Sequence, residues 1–142
     1  MTDIPTDGLS DAELLEILRS SKRVAVVGMS RDESKPAHYV PRYLFDHGYT
    51  IYPVNPMTDS ILSLKVYKSL LEVPRPIDIV DVFRPSDQVY RVAVEAVSVG
   101  PRVFWLQEGI YNEDAVRLVK SKGIRAVWNR CMMREHARLV SK

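Results

Sequence analysis

Val24-Ala25-Val26-Val27 is apolar at every position rather than at alternate ones, the pattern of a strand covered on both faces by helices in a parallel sheet. The run stops at Gly28, and a polar loop from Met29 to Lys35 leads to Pro36, a residue suited to the first position of a helix. A glycine at this junction lets the backbone turn sharply and lets a ligand approach main-chain N–H groups, while the following helix aims its positive end at the same space. The junction therefore reads as a phosphate seat. Upstream, Leu14, Leu15, Ile17 and Leu18 predict a helix over residues 9–20, opened by Ser10 and Glu13 at capping-box spacing and expected to flank the fold. Downstream, the helix begun at Pro36 should reach His47 and stop at Gly48, with Pro41 either bending it or delaying its start.

The rest of the chain repeats the alternation of strand and helix. Residues 49–54 predict a second strand running into the turn dipeptide Asn55-Pro56. Residues 58–65 form an ambiguous connection, and 69–72 suit a short helix. A third strand is expected over 77–83. Val89, Val92, Ala93, Ala96 and Val97 then fall at helical spacing behind Ser86-Asp87, giving a helix over 86–99 that ends at Gly100-Pro101. Strands over 103–106 and 124–128 bracket a helix over 112–122 closed by Gly123, and a last helix covers 131–140.

This order predicts an α/β fold: right-handed crossovers building a doubly wound parallel sheet of about five strands, a three-layer single domain over 1–142 with 1–20 as a helical extension. In such sheets ligands bind beyond the carboxyl ends of the strands, near the reversal of strand order. Those ends are residues 28–30, 55–56, 83–85 and 107–109, where much of the glycine, proline and polar punctuation gathers.

Composition narrows the class. A chain of 142 residues with 46% hydrophobic content can build one real core, and the formal charge of +2 is spread among 18 acids rather than gathered into a stripe, so nucleic acid is not expected. No charged segment followed by an apolar one opens the chain, and no apolar run approaches the roughly 20 residues that span a bilayer, so no membrane partner and a cytoplasmic location are expected. Cys131, the single cysteine, has no internal disulfide partner and no neighbours at zinc-ligand spacing; no metal is expected. His38, His47 and His136 are far apart and share no motif with a serine or an acid, so no catalytic residue is assigned.

The dinucleotide fingerprint asks for three glycines after the first strand and an acid at the end of the second. Here Ser30 and Glu33 stand at the second and third glycine positions and Asn55 at the acid, so an NAD reading loses its diagnostic contacts. The Walker pattern is absent as well.

Val24-Ala25-Val26-Val27-Gly28-Met29-Ser30, Lys35-Pro36-Ala37-His38, Tyr52-Pro53-Val54-Asn55-Pro56, Asp78-Ile79-Val80-Asp81-Val82-Phe83-Arg84, Trp105-Leu106-Gln107-Glu108-Gly109 and Asn129-Arg130-Cys131-Met132, in this order and spacing, resemble the stand-alone CoA-binding proteins. These are similar to the CoA-binding domain of the succinyl-CoA ligase alpha subunit. The resemblance covers about residues 20–139 and implies a Rossmann-like fold that binds coenzyme A, with no assigned chemistry for most members. Carried over by position, it places Gly28, Met29, Ser30 and Arg31 around the CoA phosphates, with Ser34, Lys35 and His38 nearby. Val54, Asn55 and Pro56 would line the nucleotide end, Phe83, Arg84 and Pro85 the adenine or pantetheine arm, and Gln107, Glu108, Gly109 and Ile110 the thiol side. Asn129 stands where the family usually has Asp, and Glu108 where glycine or valine is commoner.

CoA carries a pyrophosphate and a 3′-phosphate, and Arg31, Lys35 and Arg84 offer charge of the right sign. Taken alone, Gly28 would merely end a strand and Arg84 would cap a carbonyl; their shared edge favours a ligand. Asp78 and Asp81 are expected to meet backbone donors at strand ends rather than to act as acid and base. Cys131 is expected to be a packed structural thiol, with a CoA mixed disulfide as the sharper alternative, since Arg130 and Arg134 flank it. Trp105 and Trp128 should be core. The sequence thus points to a small CoA carrier, sensor or redox partner, its ligand CoA or an acyl-CoA, in a domain of a type that commonly forms a homodimer. Two alternatives stand beside it: an NAD(H)-binding redox-sensing module, and an acyl-CoA ligase-like subunit that needs a partner chain, because the phosphohistidine domain of those ligases has no counterpart in this length.

Overall fold

The computed structural model describes residues 3–141. Its elements follow in the order α1 (Asp11–Ser20), β1 (Arg23–Val27), α2 (Pro36–Asp46), β2 (Thr50–Val54), β3 (Ser60–Ile61), β4 (Leu64–Lys65), β5 (Ile79–Val82), α3 (Val89–Val99), β6 (Val103–Leu106), α4 (Glu113–Ser121), β7 (Arg125–Val127) and α5 (Met132–Leu139). Short 3-10 turns sit at Leu70–Glu72 and Ser86–Gln88. Five strands form one parallel sheet in the order β2-β1-β5-β6-β7, so the direction of winding reverses at β1 and the switch point lies between β1 and β5.

Alternating side chains sort to the two faces of the sheet. Ala25, Val80, Val82, Phe104 and Ala126 pack with α3 and α4, while Val24, Val26, Ile79, Trp105 and Val127 pack with α1, α2 and α5. Both faces are covered, which is why the central strands are apolar at nearly every position, Asp81 of β5 being the exception inside them. Trp105 and Trp128 are in the core as expected, and each indole N–H is satisfied, by the carbonyls of Arg130 and Pro5 respectively.

Three local outcomes refine the sequence reading. α1 begins with the capping box complete, Ser10 Oγ accepting from Glu13 N–H and the Glu13 carboxylate accepting from Ser10 N–H, and it buries Leu14, Ile17 and Leu18 in the core, so residues 9–20 are a full member of one layer. Pro41 neither delays nor divides α2, which runs through it from Pro36 to Asp46. The connection 58–65 is a two-stranded antiparallel hairpin turned by Leu62 and Ser63, both at positive φ. Pro53 is tolerated because β2 is an edge strand whose Pro53 carbonyl faces away from β1, towards Tyr67 N–H.

The segment before α1 is tied to the end of β7. Asp7 accepts two hydrogen bonds from the Arg130 guanidinium at 2.8 Å each and one from Trp128 N–H. Arg130 also donates to Glu135, which in turn binds Arg138, which binds Asp11. This alternating chain of charges fastens the N-terminal strap and α1 to α5.

Candidate functional site

Gly28 ends β1 at φ +88°, and a Cβ there would lie 2.7 Å from the Phe83 carbonyl oxygen and 2.9 Å from Arg84 Cδ. The glycine is needed for the close approach of the β1 and β5 ends, more directly than for a ligand. Its N–H is also spent, donating to the Val54 carbonyl at 2.9 Å. The loop that follows is largely self-satisfied: Ser30 N–H donates to the Ala37 carbonyl, Asp32 N–H to Ser30 Oγ, Ser34 N–H to the Asp32 carboxylate and Lys35 N–H to the Asp32 carbonyl. The Ser34 hydroxyl and N–H hold the Asp32 carboxyl below its usual pKa, keeping a negative charge in the loop. The N–H groups of Gly28 and Ser30 are therefore taken up within the fold, whereas those of Met29, Arg31 and Glu33 have no partner among the described residues.

The other residues of this region fasten the two strand ends together. Met29 is fully buried in the core, and its carbonyl accepts from the Asn55 side-chain amide at 2.9 Å. Asn55 Oδ1 accepts from Met57 N–H at 2.8 Å, so both ends of the side chain are used. His38, buried on the first turn of α2, donates through Nδ1 to the Ser30 carbonyl at 2.7 Å, leaving Nε2 without a partner among the described residues. Val54 is buried in β2, whereas Arg31, Ser34 and Pro56 are exposed.

Concavity lies one step along the edge, where β5, β6 and the first turns of α2 and α5 converge. A cavity of about 490 Å3 is lined by Lys35, Phe83, Arg84, Pro85, Gln107, Glu108, Ile110 and Cys131 from the sequence-derived set. Gly28, Met29, Ser30, Arg31, Ser34, His38, Val54, Asn55, Pro56 and Gly109 do not line it. Gly109 sits instead at a neighbouring hollow beside Ile4 and Tyr111, at φ +82°, with its N–H donating to Asn129 Oδ1 at 2.7 Å. Asn129 has φ +57°, a conformation asparagine accepts readily, so its amide replaces a carboxylate without loss of this contact.

The cavity also takes Pro36, Ala37, Tyr39 and Val40 from α2, and Met133 and Arg134 from α5, none of which the strand-end reasoning named as site residues. The chain offered one weak signal, an aromatic at Tyr39 on the outer side of the first helical turn. Chemically the wall is divided. Phe83, Ile110, Tyr39 and Met133 give an apolar stretch, and Lys35, Arg84 and Arg134 give positive charge at its margins. Arg84 donates to Gln88 Oε1 at 2.7 Å, and Arg134 is held by the Glu108 carboxylate at 3.1 and 3.2 Å. Glu108, Cys131 and Arg134 belong also to an adjoining cavity of about 380 Å3 against the N-terminal strap.

Under the floor lies a buried polar unit. Asp81 is fully buried, and contrary to expectation it meets a side chain rather than backbone: Gln107 Nε2 donates to Asp81 Oδ1, and Gln107 Oε1 accepts from Met132 N–H at 3.3 Å. Burial pushes the Asp81 carboxyl up to about 7, against the opposing pull of Gln107. Asp78 behaves as expected, its Oδ2 accepting from Lys22 and Arg23 N–H at 2.7 and 2.8 Å. Cys131 is partly exposed at the N-cap of α5 rather than packed away, and its own surroundings push the thiol pKa up, burial outweighing the nearby N–H groups of Arg134 and Met133. Among the described residues no cluster of three metal-ligating side chains occurs, and no helix is long and apolar enough to cross a membrane.

A family model described as the CoA binding domain matches residues 22–137. YneT from Bacillus subtilis, a protein of uncharacterised function, is 44% identical over 128 residues, covering 90% of this chain and 95% of that one. Acetate–CoA ligase [ADP-forming] II from Archaeoglobus fulgidus is 40% identical over 81 residues, covering 56% of this chain but only 12% of the ligase. A solved structure of a hypothetical protein from Pyrococcus horikoshii superposes with a TM-score of 0.92 at 39% identity over 99% of both chains.

Proposed function

The chain belongs to the CoA binding domain family, and from that premise we propose that it is a small stand-alone binder of coenzyme A, seated across the carboxyl edge of the sheet in the cavity between β5, β6, α2 and α5. The observation that carries this reading is the division of that cavity into an apolar stretch and a cationic margin, beside the β1–β5 switch point. CoA has the same division: an anionic, phosphate-bearing nucleotide at one end and an uncharged pantetheine arm ending in a thiol at the other. Lys35, Arg84 and the exposed Arg31 face the phosphates, while Phe83, Pro85 and Ile110 flank the arm. Gln107 and Cys131 stand at the thiol end, where Cys131 forms a mixed disulfide with CoA when an oxidised form of the cofactor is supplied.

Binding without chemistry of its own gives a carrier, sensor or redox partner. The ligase-subunit reading keeps one supporting observation, the 40% identity to a stretch of an ADP-forming acetate–CoA ligase of which this chain spans 12%. Calorimetric titration with CoA, acetyl-CoA and NAD tests the proposal. Saturable one-site binding of CoA with none of NAD is expected; no heat with CoA at millimolar concentration, or tighter binding of NAD, overturns it. Enrichment of an ATP-grasp chain on the immobilised protein would move the reading towards the ligase subunit.

A further inference from the structure

The opposite end of the sheet holds a second concave site that CoA binding does not use. Where β1 and β2 begin, Arg19, Ser21, Lys22, His47, Tyr49 and His136 enclose a cavity of about 220 Å3. That is less than half the volume of the CoA cavity, which suits a small group rather than a nucleotide. Four of these side chains are basic, and among the described residues no carboxylate lines the wall. The acids on the surrounding elements are turned to other work: Glu16 pairs with Arg102 and Arg125, Asp78 binds the N–H groups of Lys22 and Arg23, and Glu135 pairs with Arg130 and Arg138. Asp46 precedes His47 on α2 and does not reach the wall.

Two buried polar side chains in the wall have unused hydrogen-bonding capacity. Ser21 is 4% exposed and its hydroxyl has no partner among the described residues, an arrangement that costs stability unless something in the hollow answers it. His136 is 5% exposed; its Nδ1 is occupied by the hydroxyls of Tyr43 and Ser141, at 3.0 and 3.3 Å, which leaves Nε2. At the C-cap of α2, His47 donates from Nδ1 to the Tyr43 carbonyl at 2.7 Å, which leaves its Nε2 as well. The two imidazoles are 5.3 Å apart, and Tyr49 closes the back with its hydroxyl donating to the Leu18 carbonyl. Burial, and then the neighbouring His47, pushes the His136 pKa down.

We propose that this cavity binds a small oxyanion, a phosphoryl or carboxylate group, with Arg19 and Lys22 supplying charge and Ser21 Oγ–H, His136 Nε2–H and, in the protonated imidazole, His47 Nε2–H supplying directed donors. An anion there pairs the basic side chains, gives the Ser21 hydroxyl an acceptor, and favours protonated imidazole, so affinity rises as pH falls through the histidine range. The site lies at the other end of the strands from the CoA cavity and shares no lining residue with it, although α5 contributes to both, Met133 there and His136 here; the proposal does not rest on CoA binding.

The experiment follows the histidine Cε1–H resonances of the intact protein at pH 6 during titration with inorganic phosphate, with acetate, and with sodium chloride at matched ionic strength. Saturable shifts of His47 and His136, but not of His38, are expected with phosphate or acetate, and the stronger of the two arms identifies the group. The apparent pKa of His136 should rise on saturation. Replacing both Arg19→Gln and Lys22→Gln, exposed positions that leave the fold intact, should weaken binding about tenfold or more. Shifts that are linear and equal with chloride, or phosphate and acetate affinities unchanged in the double variant, overturn the proposal. Ser21→Ala gives a second check: it should weaken the anion while leaving the unfolding midpoint equal or higher, because a partnerless hydroxyl is removed.

Discussion

The backbone N–H of Ser30 donates to the carbonyl oxygen of Ala37 at 3.1 Å, an oxygen that Pro41, four residues along α2, has no N–H to claim. The proline therefore leaves an acceptor free inside the helix, and the loop after β1 takes it. This ties the β1–α2 loop to the helix it precedes and explains why α2 continues through Pro41. Replacing Pro41→Ala restores an N–H that competes for the same oxygen. The expected stability change is well below the roughly 3 kcal/mol that a proline costs in an ordinary helix interior, since the orphaned carbonyl is already satisfied. Amide exchange at Ser30 should quicken by about tenfold or more as its acceptor is contested. Denaturant unfolding and hydrogen exchange on the pair of proteins read both numbers; unchanged protection at Ser30 would refute the competition.

Gly28→Ala should be costly for two separable reasons. The positive φ strains any L side chain, and the new Cβ meets the Phe83 carbonyl oxygen at 2.7 Å, a backbone atom that cannot swing away. Together these are expected to destabilise the protein by about 2 kcal/mol or more, read from the shift in denaturant midpoint at constant slope. Gly109→Ala is the control, having positive φ but nothing within 4 Å of the added atom, and it should cost about 1 kcal/mol.

The contrast between these glycines shows what the chain discloses by itself. The five sheet strands and their helices were legible because residues 24–27 and Val103–Leu106 are unbroken apolar runs, because β5 is apolar apart from Asp81, and because Ser10, Asn112, Gly48 and Gly100 punctuate helices by local chemistry. The β3–β4 hairpin was not: its strands are two residues each, and its turn is made by Leu62 and Ser63 instead of the glycine or asparagine that signals one. At the site, Phe83, Arg84 and Gln107 follow from strand ends alone. Tyr39, Met133 and Arg134 do not, since only the packing of α2 and α5 against the same sheet face brings their first turns together. The spent N–H of Ser30 was equally hidden, because its partner is fixed by a proline eleven positions away whose effect on the loop is tertiary.

Asp81 makes stability pH-dependent with a definite sign. Its carboxyl titrates at about 7 in the fold and near 4 when the chain is unfolded, so the native state holds the extra proton between those values. The contribution of Asp81 to stability is then full below about pH 4, falls as pH rises towards 7, and levels off above it, losing about 1.4 kcal/mol for each unit of separation as an order-of-magnitude figure. Asp81→Asn keeps an oxygen for Gln107 Nε2 and cannot ionise. The variant should match the natural protein near pH 4 and exceed it by a few kcal/mol at pH 8, as seen in unfolding midpoints across the range. Equal pH profiles would show that Asp81 does not titrate in this window.

Cys131 can exchange with a CoA disulfide: its thiolate attacks one sulfur, a new S–S bond forms to that half, and the other half leaves as the CoA thiolate. Burial lifts the Cys131 pKa, so the attacking form is a minority at neutral pH, and the rate should climb about tenfold per pH unit between 6 and 8. Intact-protein mass spectrometry should show one CoA adduct, removed by reductant and absent from Cys131→Ser. No adduct at pH 8 would leave the thiol a partly packed side chain at the start of α5.

The cationic margin of the cavity can be tested by sign as well as by size. Arg84 is partly buried and holds its guanidinium through Gln88, whereas Lys35 is exposed at the mouth. Against CoA, Arg84→Gln should weaken binding about tenfold and Lys35→Gln only about threefold, because screening by solvent reduces the exposed charge. Glu108 is the informative position. It brings a negative charge into the wall and occupies Arg134 through two contacts, at 3.1 and 3.2 Å. If its role is to hold Arg134 in check, Glu108→Gln frees a cation, and CoA should bind about threefold tighter, with a steeper loss of affinity as salt is raised. If Glu108 instead accepts a hydrogen bond from the pantetheine amides, the same substitution loosens binding and leaves the salt dependence alone. Calorimetry at two ionic strengths separates the outcomes, and the first is expected, since a carboxylate already engaged by two guanidinium contacts has little left to offer an uncharged arm.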